Sequence, residues 1–388
     1  IAVKGMDYLA YRRQLARNLG GIHTFHCEQI GIRRSERENM ISYQLTEFGQ
    51  PLECKNYAPP DPRGHEVLLR VHACGVCHSD VHLCDGFFDL GQGRHLDLSK
   101  GRELPLTLGH EISGEIVAMG PTCRGVTVGD RRVVYPWVGC GTCAVCATGD
   151  EHLCPSPRSI GVVRDGGFSD HVIVPHPRYL FDLSTIDPTL ACTYACSGLT
   201  AYSALMKVQR KTDRKYVLLI GAGGVGLAAL SLARVLLDAR VVVADINVTR
   251  REAARAAGAD QILDSSLDGA TKVTREMTEG GPVAVVDFVG SEASVKFGLG
   301  SMRTGGTLII VGLFGGRLPM SLPLFPLKQL TVSGSFVGSL NEMSALSDLI
   351  QSQQVPPLPL RIRPLAEAQA ALNELRDGFG VGRSVLSP

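Results

Sequence analysis

The sequence predicts an α/β protein built from two unlike domains: a mostly antiparallel β domain rich in loops, and a doubly wound parallel sheet. Three observations carry this. Between Met40 and about residue 190, short β-rich runs ("EVLLRVHACGV", "GHEISGEIVAMG", "GDRRVVYP", "GFSDHVIVP") are set off by Gly and Pro, the pattern of irregular antiparallel strands. After that the rhythm becomes strand, helix, strand, the spacing of a parallel sheet covered on both faces. Finally, 388 residues at 44% apolar content are enough to form more than one core.

Residues 1–39 read differently from the rest. They hold seven Lys or Arg against four acidic residues, Asp7, Glu28, Glu36 and Glu38, with no sustained apolar face and no secretory core. We expect a poorly ordered leader or extension there, with "MISYQLTEFGQPL" from Met40 as the first strand and turn. The β domain is expected over 40–190 and again over 320–388, where "LTVSGSF" through "GRSVLSP" returns to it. The parallel sheet is expected over 191–319. In that stretch "YVLLIGAGGVGLAALSLARVLL" reads as strand, turn and helix, "RVVVADI" as a strand, "VTRREAARAAGA" as a helix, and "AVVDFVG" and "GTLIIVG" as two further strands.

Composition limits the partners. The 39 basic and 38 acidic residues nearly cancel and form no long like-charge block, so neither nucleic acid nor a membrane surface is expected as a partner; a small molecule is. No apolar run approaches the ~18–20 residues that span a bilayer. Twelve cysteines in a chain this long fall short of a disulfide scaffold, and four of them crowd into 140–154. A soluble protein of a reducing compartment, the cytoplasm, is expected.

In "GAGGVG" the residues Gly221, Gly223, Gly224, Val225 and Gly226 form a Gly-rich turn between a strand and a helix, and Asp245 ends the next strand 19 residues beyond Gly226. The glycines let the backbone approach a pyrophosphate, and the helix N-terminus offers it free N–H groups. Asp245 would accept from ribose hydroxyls and repel a 2′-phosphate, which favours NAD over NADP. Arg250 either touches that ribose or is solvated on its helix.

"CGTCAVCATGDEHLC" places Cys140, Cys143, Cys146 and Cys154 as C-x2-C-x2-C-x7-C. Four thiolates suit a closed tetrahedral zinc that folds a polar loop. An iron–sulfur cluster is the rival, but its usual last gap is three residues and here it is seven. A second, open zinc needs about three ligands from separate segments. Cys77 in "GVCHSDVH", His110 and Glu111 in "LGHEISGE", and Cys196 in "YACSGLTAY" are the candidates.

Taken together and in this order, these motifs resemble the zinc-dependent medium-chain alcohol dehydrogenase family from about Met40 to Pro388. The resemblance implies a GroES-like catalytic domain and a Rossmann domain with NAD and substrate between them, two zinc ions per chain, and a homo-oligomer, tetramer or dimer. It implies reversible hydride transfer between an alcohol and NAD. Residue by residue, Cys77, His110 and Cys196 match the catalytic zinc ligands, with Cys192 competing for the third place. Glu111 matches a carboxylate beside the metal, and Asp80 the acceptor that orients the ligand imidazole. His78 and Arg383 match pyrophosphate contacts, and Ser79 and His82 a proton relay to solvent.

The segment between Cys84 and Leu108 is longer than in a minimal member. It resembles that of bacterial members acting on longer or ω-hydroxylated primary alcohols, and Trp137 is a candidate wall of the same pocket. The alternatives are an enzyme running mainly as an aldehyde reductase and a catalytically inactive zinc protein sensing NAD(H). The second would lack a ligand or relay residue, and none is missing.

Overall fold

The computed structural model describes residues 39–209, 215–318, 320–352 and 355–388. Apart from Asn39, the expected leader lies outside the described residues. The first domain is organised on the strand Val67–Gly75, buried at every position but Arg70 and His72 and paired along both edges. Glu111–Met119 and His171–Val174 pair with it antiparallel, and so does the C-terminal strand Arg383–Ser387. Arg131–Val134 and Leu180–Phe181 extend the sheet on one side, and Leu360–Pro364 extends it on the other. A smaller sheet sets Met40–Leu45 between Glu53–Tyr57 and Leu106–Thr107. The pattern in "MISYQL" explains its place: Met40, Ser42, Gln44 and Leu45 are buried, while Ile41 faces out.

The second domain is a six-stranded parallel sheet. Its order is Gln261–Leu263, Ala239–Ala244, Lys215–Ile220, Ala284–Asp287, Thr307–Ile310, Thr331–Gly334. "YVLLI", "VVVA" and "AVV" are apolar at successive positions because helices cover both faces, so neither set of side chains meets water. The helix Gly224–Leu236 packs through Leu227, Ala228, Ala229, Leu230, Leu232 and Ala233, a face partly built of small residues that brings it close to the sheet. From Lys215–Ile220 the chain first winds one way and later resumes on the other side at Ala284–Asp287. The crevice at the C-terminal ends of these two strands is the topological switch point, where such sheets bind ligands.

Two features differ from the sequence reading. The parallel sheet continues past residue 319: "TVSG", expected to return to the first domain, is its sixth strand, Thr331–Gly334, and the return to the first sheet comes only at Leu360. Four residues at a sheet edge carry too short a pattern to declare which sheet they join. The long segment after Cys84 also holds an unforeseen hairpin, Phe87–Asp89 with His95–Asp97.

Candidate active site

Cys77 follows the central strand and caps the helix His78–Asp85. Its N–H donates to Asp80 Oδ2 at 2.8 Å, a capping box with aspartate at the third helical position. The other Asp80 oxygen lies 3.1 Å from His110 Nδ1 and accepts from Gly109 N–H at 3.3 Å. Asp80 and His110 are both fully buried, so the carboxylate fixes the imidazole's orientation and turns its Nε2 away. Cys196 arrives from a third segment, between the short turn Cys192–Ala195 and the helix Ser197–Met206. The Cys77, His110 and Cys196 donor atoms lie within 4.8 Å of one another.

Electrostatics agree with a metal centre. His110 Nε2 is buried with no hydrogen-bond partner, which a metal would supply. Cys77 is pulled well below the ordinary thiol range by the Cys196 thiol hydrogen-bonded to it and by His110, whereas Cys196, the donor of that bond, is pushed well above. Burial works against charge on His110, but the Asp80 carboxylate overrides it and raises the imidazole. Two thiols and an imidazole crowded together in this way are a donor set for zinc with a fourth position open. Cys192 is not part of the set; its thiol donates to Thr189 O at 3.3 Å.

Glu111 is fully buried beside this cluster. Its Oε1 accepts from Ser197 N–H at 3.1 Å and from the Arg383 guanidinium, while Oε2 has no partner. Burial raises its carboxyl above the usual range, and Arg383 opposes that. Arg383 also touches the Gly-rich turn: a methyl at Gly224 would collide with its side chain. Its Nε is buried and unpartnered. The turn is built as its sequence requires. Gly221 has φ +91°, a methyl at Gly226 would overlap the Gly221 carbonyl, and nothing lies within 4 Å of one at Gly223. Gly224 and Val225 open the helix, and no side chain caps its N-terminus. Asp245 receives Ala222 N–H (2.7 Å) and Asn247 N–H (2.8 Å), one on each oxygen.

Arg250, expected either at the ribose or solvated on its helix, makes exposed hydrogen bonds to a distant segment. It reaches Gly378 O at 2.7 Å and Gly380 O at 3.4 Å, on the segment that leads to Arg383. Ser79 and His78 occupy the first turn of the Cys77-capped helix. His82 follows one turn later, 5.8 Å from the His78 ring and 4.8 Å from Phe88. Burial and His78 hold His82 below its usual value. Trp137 is buried between His110 (5.2 Å) and Phe336 (5.8 Å). Phe88 and Phe336 were not singled out from the sequence. The aromatic pair in "GFFDL" was the one available signal for the first; nothing local marks the second.

In the second cluster the sulfurs of Cys143 and Cys146 are 3.5 Å apart, Cys143 and Cys154 3.8 Å, Cys140 and Cys146 3.9 Å. A tetrahedron with arms of ~2.3 Å has edges of about 3.8 Å, so one zinc fits. Thiolates this close leave no room for an iron–sulfur cage. Backbone N–H groups of Cys140 and Ser156 point at the Cys154 sulfur, and hydrogen bonds from the Thr142 backbone and side chain bring Cys140 down to about 6.

A Rossmann sheet with a Gly-rich turn beside an open thiolate–imidazole centre defines a zinc-dependent, dinucleotide-using oxidoreductase. Residues 63–185 match the alcohol dehydrogenase GroES-like domain, and 224–352 match the zinc-binding dehydrogenase domain. The chain is 36% identical to an NAD-dependent alcohol dehydrogenase of Sulfurisphaera tokodaii, over 90% of this chain and 100% of that one. An NAD-dependent alcohol dehydrogenase of Saccharolobus solfataricus is 35% identical with the same coverage. The alcohol dehydrogenase structure from Aeropyrum pernix superposes with a TM-score of 0.81 at 31% identity, covering 90% of this chain and 100% of that one. The chain belongs to the zinc-dependent medium-chain alcohol dehydrogenase family.

Proposed function

We propose that this NAD-dependent zinc alcohol dehydrogenase performs its reversible hydride transfer at Cys77, His110 and Cys196, and that primary alcohols are its preferred substrates. The observation that carries the site assignment is the meeting of these three donors, from segments 33 and 86 residues apart, next to a Gly-rich turn that Arg383 also touches. Zinc bound there supplies the Lewis acidity that makes an alcohol hydroxyl acidic, and NAD supplies the hydride acceptor. The chain's own groups do the rest. Asp80 holds His110 in place. Ser79 takes the hydroxyl proton, and His82, kept neutral by burial, delivers it to solvent. His78, Arg383 and the N–H groups at Gly223, Gly224, Val225 and Gly226 receive the pyrophosphate, with Gly221 shaping the turn, and Asp245 receives the ribose. Arg250 braces the segment bearing Arg383. Glu111, fully buried beside the donor set, would offer an alternative oxygen ligand to a metal held there. Cys140, Cys143, Cys146 and Cys154 would hold a structural zinc, four protein thiolates leaving it no position for substrate.

Trp137 supports the substrate preference: its indole lies 5.2 Å from the His110 ring, where it would confine a substrate held beside the donor set. The division into a GroES-like domain and a Rossmann domain is the working unit, with the cleft between them as the reaction chamber. A homo-oligomer, dimer or tetramer, is supported by the outer edge of Thr331–Gly334, which is unpaired among the described residues, and by the exposed Leu322 and Leu327 nearby. The cytoplasm is supported by the free cysteines of the described residues, which include both metal clusters. No described helix is long and apolar enough to cross a membrane.

A spectrophotometric panel of primary, secondary, aromatic and ω-hydroxy alcohols with NAD and with NADP tests this reading. Primary alcohols with NAD should give the highest kcat/KM, and Asp245→Gly should erode the NAD preference. An unchanged cofactor ratio would remove Asp245 from the ribose, and a preference for secondary alcohols would refute the narrow pocket.

A further inference from the structure

The tip of the Phe87–Asp97 hairpin meets the loop that follows the fifth parallel strand. Gly91, Gln92 and Gly93 all have left-handed backbone (φ +80°, 55° and +72°), and opposite them Gly315 and Gly316 lie at φ +119° and +116°. They pack backbone on backbone. A methyl on Gly91 would lie 2.9 Å from the Gly316 carbonyl carbon, and one on Gly315 would lie 2.8 Å from Asp89 O. Across this contact the Arg317 guanidinium donates to the side-chain carbonyl of Gln92, a non-glycine held where only glycine sits without steric cost. The hairpin's other end touches His82 through Phe88. The loop is fixed to the cofactor edge of the parallel sheet: Gly315 N–H donates to Gly290 O at 3.1 Å and Phe314 N–H to Val289 O at 3.2 Å, and Val289 in turn faces Gly221.

We propose that this contact is a latch over the cofactor cleft, with Arg317 and Gln92 as positioning residues that set the rate of cofactor exchange. The inference rests on reading the Gly-rich turn as the NAD site. The loop, the Gly-rich turn and Asp245 all lie at the C-terminal ends of parallel strands, the edge along which a dinucleotide lies. The hairpin belongs to the other domain, so while its tip is seated the two domains are joined over that edge. NAD enters and NADH leaves when Gly91 lifts from Gly316.

The test is NADH release from the full-length, zinc-loaded protein by stopped-flow fluorescence. Arg317→Ala should release NADH about threefold faster, the loss of one charge-assisted hydrogen bond at an exposed site. Gln92→Ala should match it, the double variant should be no faster than either single one, and Arg317→Lys should restore most of the wild-type rate. Gly315→Val, whose side chain would press on Asp89 of the hairpin, should speed release while leaving both partners of that bond in place. KM for NAD should rise while single-turnover hydride transfer and KM for the alcohol stay unchanged, a split that general loosening of the fold would not produce. Wild-type release rates in both Arg317→Ala and Gly315→Val would overturn the latch, as would independent effects in the double variant. A wild-type protein that binds no NADH would overturn the cofactor reading, and the latch with it.

Discussion

Replacing Arg383 by Met should destabilise the protein through a group it leaves behind. Arg383 is 5% exposed and Glu111 is fully buried, so the methionine keeps most of the apolar stem but strands a carboxylate. That carboxylate retains one hydrogen bond on Oε1, from Ser197 N–H, and none on Oε2. Breaking a buried pair costs about 3–5 kcal/mol. Protonation sets a ceiling, because a carboxyl with an ordinary pKa of about 4.3 can be neutralised at pH 7 for roughly 3.7 kcal/mol. We therefore expect a loss of roughly 3–4 kcal/mol, or a melting temperature lower by about 4–5 °C in a chain of this size. The sign with pH is fixed. In the variant the folded carboxyl titrates above its unfolded value, so the deficit is small in acid and grows as pH rises through that range. Thermal unfolding followed by circular dichroism at pH 5 and pH 7 reads both effects. Arg383→Met/Glu111→Gln, which removes the stranded charge, should recover most of the loss. A single variant that melts within about 1 °C of wild type, or a double variant less stable than the single, would refute the buried pair.

Cys140→Ser should lower bound zinc by one ion per chain and reduce the melting temperature by roughly 10 °C, while the residual zinc-loaded protein still turns over, because that cluster folds a loop. Retained stability with lost turnover would reverse the roles of the two clusters. His82 is held below its usual 6.5 by burial and by His78, so it is neutral at neutral pH and gains its proton only in more acidic buffer. Alcohol oxidation should therefore decline with acidification below that range. His82→Gln should lose roughly 10²-fold in kcat at neutral pH and flatten that limb; an unaltered pH profile would exclude His82 from the relay.

The parts legible in the sequence are those whose physics is local. The Gly-rich turn needs its glycines within six residues, and the four-cysteine loop gathers its four thiols from one short stretch, so spacing alone reveals both. The buried parallel strands show as apolar runs for the same reason. What spacing could not reveal is pairing at a distance. Arg383 and Glu111 are 272 residues apart, and Arg250 reaches carbonyls 128 and 130 residues on. No periodicity encodes such partners. Between Cys192 and Cys196 the choice lay in direction: both are buried in the same turn, but one thiol turns back to Thr189 O and the other to Cys77. The hairpin was hidden because its strands are three residues long and largely exposed, with glycines and a lone left-handed glutamine at the tip.

The central claim is that Cys77, His110 and Cys196 share one ion with a position left open for substrate. Zinc per chain in purified Cys196→Ala, measured by plasma mass spectrometry alongside NADH binding, tests it most directly. The account predicts a fall from two zinc ions to one, no alcohol turnover, and NADH binding retained. Two ions still bound in a variant that still oxidises alcohols would contradict it.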